Sequence, residues 1–95
     1  MSLRVEWDPK KAAANESKHG VTFSEAATVL SDPLSVTLPD PDHSGSEERL
    51  LLLGQSRFGR FLILSITLRA DVVRIISARP MTSRERRTYE HEIGR

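Results

Sequence analysis

The amino-acid sequence predicts an α+β fold: an N-terminal strand and a two-helix hairpin packed on an antiparallel four-stranded meander, with a C-terminal helix. Three observations carry that expectation. Two helix start-and-stop patterns precede residue 33, the apolar period switches to two from Leu34, and a capping box at Thr82 opens a last, polar helix.

Residues 3 to 7, LRVEW, alternate apolar and charged side chains and fit a short half-buried strand. Asp8 is a good N-cap and Pro9 suits the first helical position, where a missing N–H costs nothing. Strong helix formers continue from Lys10 to His19, and Gly20 supplies the left-handed stop. Thr22 and Glu25 have the spacing of a capping box for a second helix. Its apolar Phe23, Ala26, Ala27 and Leu30 share a face until Asp32-Pro33 ends it. From Leu34 the segments LSVTL, RLLLLGQS, RFLILSITLR and DVVRIISARP read as four strands, the first pair joined by an exposed PDPDHSGSE loop. Thr82 and Glu85 then open a helix whose only apolar stripe is Tyr89 and Ile93.

Ninety-five residues suit one domain spanning 1–95, with a single core. The longest apolar runs are strand-length, so no membrane span is expected, and MSLRVEWD lacks the apolar centre of a secretory signal, which points to the cytoplasm. With no cysteine and three scattered histidines (His19, His43, His91), neither a disulfide, a metal site nor a cofactor is expected. The net charge of +1 conceals an asymmetry: residues 1 to 48 carry net −5 and residues 49 to 95 net +6, with every basic residue of the second half an arginine. The guanidinium fork matches phosphate oxygens two at a time, so an all-arginine half suits a phosphate-reading surface.

The last hairpin decides which arginines share a face. A three-residue loop would align Ser65, Thr67 and Arg69 with Ser77 and Arg79 on one polar strip. A two-residue loop would pair the strip with Arg74 instead. The odd loop is favoured because it keeps Leu64, Ile66, Leu68, Val72, Ile76 and Ala78 together in the core.

Such a strip suits RNA cleavage without a metal. That reaction needs a base for the 2′-hydroxyl, an acid for the departing 5′-oxygen, and fixed cations around the phosphorane. Arg69 and Arg79 are the expected charge stabilisers, with Arg60 or Arg74 at the rim, and Ser65, Thr67 and Ser77 as hydroxyls for phosphate oxygens. His19 and Lys18, closing the first helix, are the proton handlers or phosphate anchors, and Glu48 offers a carboxylate base. Lys11 is a further RNA-binding candidate, and Tyr89 offers a ring for stacking on a base. Each has a plainer alternative: the basic helix end matches the helix dipole, Arg79 can pair with Glu85, and Glu48 can end a strand.

The runs EWDPKKAAANESKHGVTFSEA, DPLS and GRFLILSITLRADVVRIISARPMTSRERRTYE closely resemble the BrnT toxins, over nearly the whole chain. The first pattern is met by Trp7, Asp8, Lys11, Ala12, Asn15, Lys18, His19, Gly20, Val21 and Phe23, with Thr22 in place of the usual serine. The second is met by Arg74, Ile75, Ile76, Ser77, Ala78, Arg79, Glu85, Tyr89 and Glu90. The resemblance implies a RelE-like fold and a small ribonuclease that cleaves RNA and inhibits translation. It further implies a BrnA-like ribbon-helix-helix antitoxin as partner, with operator DNA contacted only through that antitoxin, and leaves open a homodimer within the complex. A non-catalytic antitoxin-binding co-repressor is the alternative.

Overall fold

The structure, a computed structural model, describes residues 4–40 and 49–94. In chain order come β1 (Arg4–Trp7), α1 (Pro9–His19), α2 (Phe23–Ala27) running into a 3₁₀ turn (Thr28–Ser31), β2 (Val36–Pro39), β3 (Arg49–Gln55), β4 (Phe61–Arg69), β5 (Val72–Pro80) and α3 (Ser83–Glu92). No helix among the described residues is long and apolar enough to cross a membrane.

The strands form one five-stranded sheet in the order β1-β5-β4-β3-β2. This corrects the expected four: β1 does not lie on the sheet but extends it, pairing in parallel with β5 so that Glu6 stands beside Arg74 and Trp7 beside Ile75. The alternation of LRVEW follows from that position, since Val5 and Trp7 join the core while Arg4 and Glu6 turn away from it.

The termini of α1 follow local chemistry. The Asp8 carboxylate accepts from the Lys10 backbone N–H at 2.9 Å, and Gly20, at φ 69°, donates its N–H to the Glu16 carbonyl. Asn15 is what fixes the helix to the sheet. Beyond the end of β1, the Ala78 N–H and C=O on the β5 edge have no strand beside them, and the buried Asn15 amide takes both. Its Oδ1 accepts from Ala78 N at 3.0 Å, and its Nδ2 donates to Ala78 O at 2.8 Å and Val21 O at 3.0 Å.

The expected second helix is shorter than its apolar face suggests, with only Phe23–Ala27 α-helical. Thr22 Oγ1 does accept from Glu25 N, but the capping box is half made. The Glu25 carboxylate turns inward to the Arg60 guanidinium, with contacts of 2.9 and 2.5 Å, and accepts from Ser56 Oγ at 2.8 Å. Where the 3₁₀ turn crosses β3, Gly54 leaves no room for a side chain: a Cβ there would lie 2.8 Å from Val29 Cγ1 and 2.9 Å from Asp32 Oδ2.

Two apolar layers result. On one face α1 and α2 cover Leu52, Leu62, Leu64, Ile66, Val73, Ile75 and Ala78 with Val21, Phe23, Ala26 and Val29, and Trp7 meets Phe23 edge-on. On the other face α3 covers only one end of the sheet, where buried Tyr89 packs with Leu53 and Ile63 and edge-on against Phe61. The capping box of α3 is complete, Thr82 Oγ1 accepting from Glu85 N and Glu85 Oε1 accepting from Thr82 N. No helix among the described residues covers the other end of that face, its bare end.

The β4–β5 hairpin corrects the favoured register. Its loop has two residues, Ala70 at φ 55° and Asp71, so Arg69 faces Val72 and Thr67 faces Arg74. A bulge then shifts the pairing at Ser65/Ile66, leaving Ile76 unpaired and restoring Ser65 opposite Ser77 and Ile63 opposite Arg79. The core members from β5 are therefore Val73, Ile75 and Ala78 rather than Val72 and Ile76, and Leu68, expected inside, is 44% exposed.

Candidate functional site

The bulge makes both readings of the hairpin half right, and it puts every polar residue of the strip on the face that carries α3. Directly opposed residues in a sheet project to the same side. Thr67 with Arg74, and Ser65 with Ser77, thus share that face with Arg69 and Arg79. The strip is nevertheless divided. Arg69 and Arg79 lie six residues apart in β4 register, about 20 Å at the rise of a strand, and they line different hollows.

The hollow beside α3, of about 320 Å³, includes Ser65, Ser77, Arg79, Glu85 and Asp40. Its arginine is already engaged, since Arg79 Nη1 and Nη2 each reach a different Glu85 oxygen at 2.7 Å. That guanidinium, helped by the Thr82 backbone N–H, pulls the Glu85 carboxyl down to about 2 in spite of its burial.

The bare end of the face holds the second hollow, of about 430 Å³, lined by Glu6, Thr67, Arg69, Val72 and Arg74. Its residues come from three strands by register. Arg49, Thr67, Arg74 and Glu6 stand side by side across β3, β4, β5 and β1, and Arg69, Val72 and Arg4 form the next row. Four arginines therefore frame one patch around Thr67, whose side chain is buried at 6% exposure. Glu6 bonds Arg74 Nη1 at 2.8 Å with both side chains about half exposed, while Arg69 is exposed at the hairpin end. A surface of this kind grips a phosphodiester by paired N–H donors in reach of water.

Not every expected residue joins it. His19, half-buried, and exposed Lys18 and Lys11 belong to α1, which packs on the opposite face of the sheet, and neither hollow contains them. Arg69 and Arg79, expected as charge stabilisers on one strip, and His19, expected as a proton handler for the same reaction, thus do not meet in a single hollow. Arg60 is not a rim cation: it holds Glu25 and donates from Nη2 to the Gly20 carbonyl at 3.0 Å, tying the end of α1 to the β3–β4 turn. Its guanidinium keeps the Glu25 carboxyl below its ordinary range, against the opposing effect of burial. Tyr89 is 3% exposed in the small core and offers no open ring to a base. Glu48 lies outside the described residues. Arg4, Glu6 and Arg49 are the site residues the sequence reading missed. The signal was present in the alternation of LRVEW, which puts Arg4 and Glu6 on one side, but it speaks only once β1 is paired with β5.

The crystal structure of the Brucella abortus ribonuclease toxin BrnT matches with a TM-score of 0.66 at 20% identity, covering 86% of this chain and 100% of that one; at that identity the likeness is one of fold. No curated protein matches. The sequence profile of the ribonuclease toxin BrnT of type II toxin–antitoxin systems matches residues 7–85, which takes in the hollow beside α3 and all of the bare-end lining but Glu6. The chain belongs to the BrnT family of ribonuclease toxins of type II toxin–antitoxin systems.

Proposed function

We propose that this chain is a metal-independent endoribonuclease of RelE-like fold that cleaves RNA, inhibits translation and is held inactive by a BrnA-like ribbon-helix-helix antitoxin. The observation that carries this reading is the arginine-framed hollow at the bare end of the sheet. Arg69 and Arg74 flank Thr67 there, with Glu6 alongside. Fixed guanidinium charge supplies what a phosphorane transition state requires. The RNA 2′-hydroxyl supplies the nucleophile. The hollow beside α3, with Ser65, Ser77 and Arg79, extends the contact along the RNA backbone, while Lys11 and Lys18 add positive charge at the far side of the sheet. An antitoxin that covers the bare end of the face blocks substrate entry.

The test incubates purified protein with RNA in EDTA. Products ending in 2′,3′-cyclic phosphate and 5′-hydroxyl are expected, and Arg69→Ala is expected to lose most of the cleavage. Intact RNA, or cleavage that EDTA abolishes, overturns the reading. Growth arrest on induced expression, relieved by the adjacent ribbon-helix-helix gene product, tests the partner.

A further inference from the structure

Resting on that ribonuclease reading, we propose that Glu6 is the general base of the reaction, the carboxylate that accepts the proton of the attacking 2′-hydroxyl.

Glu6 is the one carboxylate among the described residues lining the arginine-framed hollow. Parallel pairing with β5 puts it directly beside Arg74, and Thr67 stands on the other side of the same arginine. One nitrogen of the Arg74 guanidinium, Nη1, is bonded to Glu6 at 2.8 Å. Its remaining N–H groups have no partner among the described residues, and Arg69 has none on its guanidinium. Arg74 therefore works as a template: it orients a carboxylate with one edge of the fork and a phosphate with the rest. In RNA the 2′-hydroxyl sits on the carbon next to the one that carries the phosphate. A phosphodiester seated between Arg69 and Arg74 with its O3′ side toward Glu6 presents that hydroxyl to the carboxylate.

The competing bases are placed badly. His19 and Lys18 are on the opposite side of the sheet. Glu85 belongs to the other hollow, with both oxygens bound by Arg79 and one also by the Thr82 N–H. The step balances without any other reagent. Glu6 takes the proton as O2′ bonds to phosphorus, the P–O5′ bond breaks, and the departing oxygen takes a proton from water, leaving a 2′,3′-cyclic phosphate and a 5′-hydroxyl. The proton on Glu6 then returns to solvent.

The experiment compares wild type, Glu6→Gln and Glu6→Asp in two assays. Single-turnover cleavage of an oligoribonucleotide gives the rate, and anisotropy with its 2′-O-methyl counterpart, which lacks the nucleophile, gives affinity. Glu6→Gln is expected to slow cleavage on the order of 100-fold. It should bind the 2′-O-methyl probe as tightly as wild type or a few-fold tighter, because Arg74 is released from its partner. Glu6→Asp should keep part of the rate, and the acidic limb of the pH–rate profile should disappear in Glu6→Gln. Cleavage by Glu6→Gln at or above the wild-type rate shows the carboxylate to be only a restraint on Arg74 and overturns the proposal. Parallel loss of affinity and rate shows a structural role and overturns it equally. Wild-type protein that leaves the oligoribonucleotide intact fails the ribonuclease reading itself, a result distinct from either.

Discussion

Arg79 and Glu85 form a two-pronged ion pair, with each amino nitrogen 2.7 Å from its own carboxylate oxygen, and the same Glu85 closes the capping box of α3. One carboxylate thus joins the end of β5 to the start of a helix that has few other anchors. The arginine first, and Thr82 after it, lower the Glu85 pKa from 4.5 to about 2 against the opposing effect of burial. A carboxyl whose folded pKa is depressed stabilises the fold fully above its unfolded value, and that stabilisation is lost as pH falls toward the folded one. Wild-type protein should therefore lose about 1–2 kcal/mol between pH 4.5 and 2 through this pair, a figure discounted for the partial exposure of Arg79. Glu85→Gln should flatten that part of the curve. Urea denaturation of both proteins over this pH window checks it, and equal slopes would show that the pair contributes nothing.

The Arg60–Glu25 pair is more deeply set on its acidic side, with Glu25 7% exposed and also bonded to Ser56. Removing only the arginine leaves a buried carboxylate without its main partner and frees the Gly20 carbonyl. Arg60→Ala should cost about 2–3 kcal/mol, below the range for a fully buried pair because the guanidinium is 41% exposed. Cleavage per folded molecule should change little, as Arg60 lines neither hollow. Thermal denaturation alongside the RNA assay separates the two effects.

Asn15 bears on how α1 is placed. Its amide is the partner of three buried backbone groups, so Asn15→Leu strands the Ala78 N–H and C=O together with the Val21 C=O. The expected loss is about 2–4 kcal/mol, set by desolvated backbone rather than by side-chain packing. Asn15→Asp should be as damaging, because a carboxylate there would face two carbonyl oxygens. Hydrogen exchange at the Ala78 amide should accelerate in Asn15→Leu, which removes its acceptor, and unchanged protection at that amide would contradict the account.

The features legible in the sequence are those decided within a few residues. Asp8, Pro9 and Gly20 bound α1 as their chemistry requires, and the Thr82–Glu85 box forms as spaced. The Thr22–Glu25 box is only half formed because Arg60, 35 residues away, competes for the carboxylate. The hairpin register was beyond local reading for a similar reason. A two-residue loop and a bulge at Ile76 each invert the alternation, so between them they bring Ser77 and Arg79 back to the face that either alternative alone would assign differently. The arginine frame was the least legible feature, since it exists only when β1, β3, β4 and β5 lie side by side, and the parallel β1–β5 pairing links residues nearly 70 positions apart. Arg69 and Arg79 do lie on one sheet face, but in different hollows, and what brings Arg4, Arg49 and Glu6 beside Arg69 and Arg74 is topology.

Arg69 provides the most direct test of the frame as a phosphate-binding surface. It is exposed, stands at the hairpin end of the bare face, and makes no bond that the fold requires, so Arg69→Ala should leave the denaturation midpoint within about 0.5 kcal/mol of wild type. Binding to RNA should respond strongly. Each phosphate neutralised on a single strand contributes roughly 0.7 to the slope of log affinity against log salt, so removing one contact should flatten the plot by about that amount. Phe58→Ala, at a 70% exposed position in the β3–β4 turn and outside both hollows, serves as a surface control whose salt slope should match wild type. Anisotropy titrations with the 2′-O-methyl probe from low to physiological salt read all three proteins. If Arg69→Ala shows the wild-type slope, the phosphate does not sit at the bare end of the sheet, and the hollow beside Arg79 becomes the place to look for it.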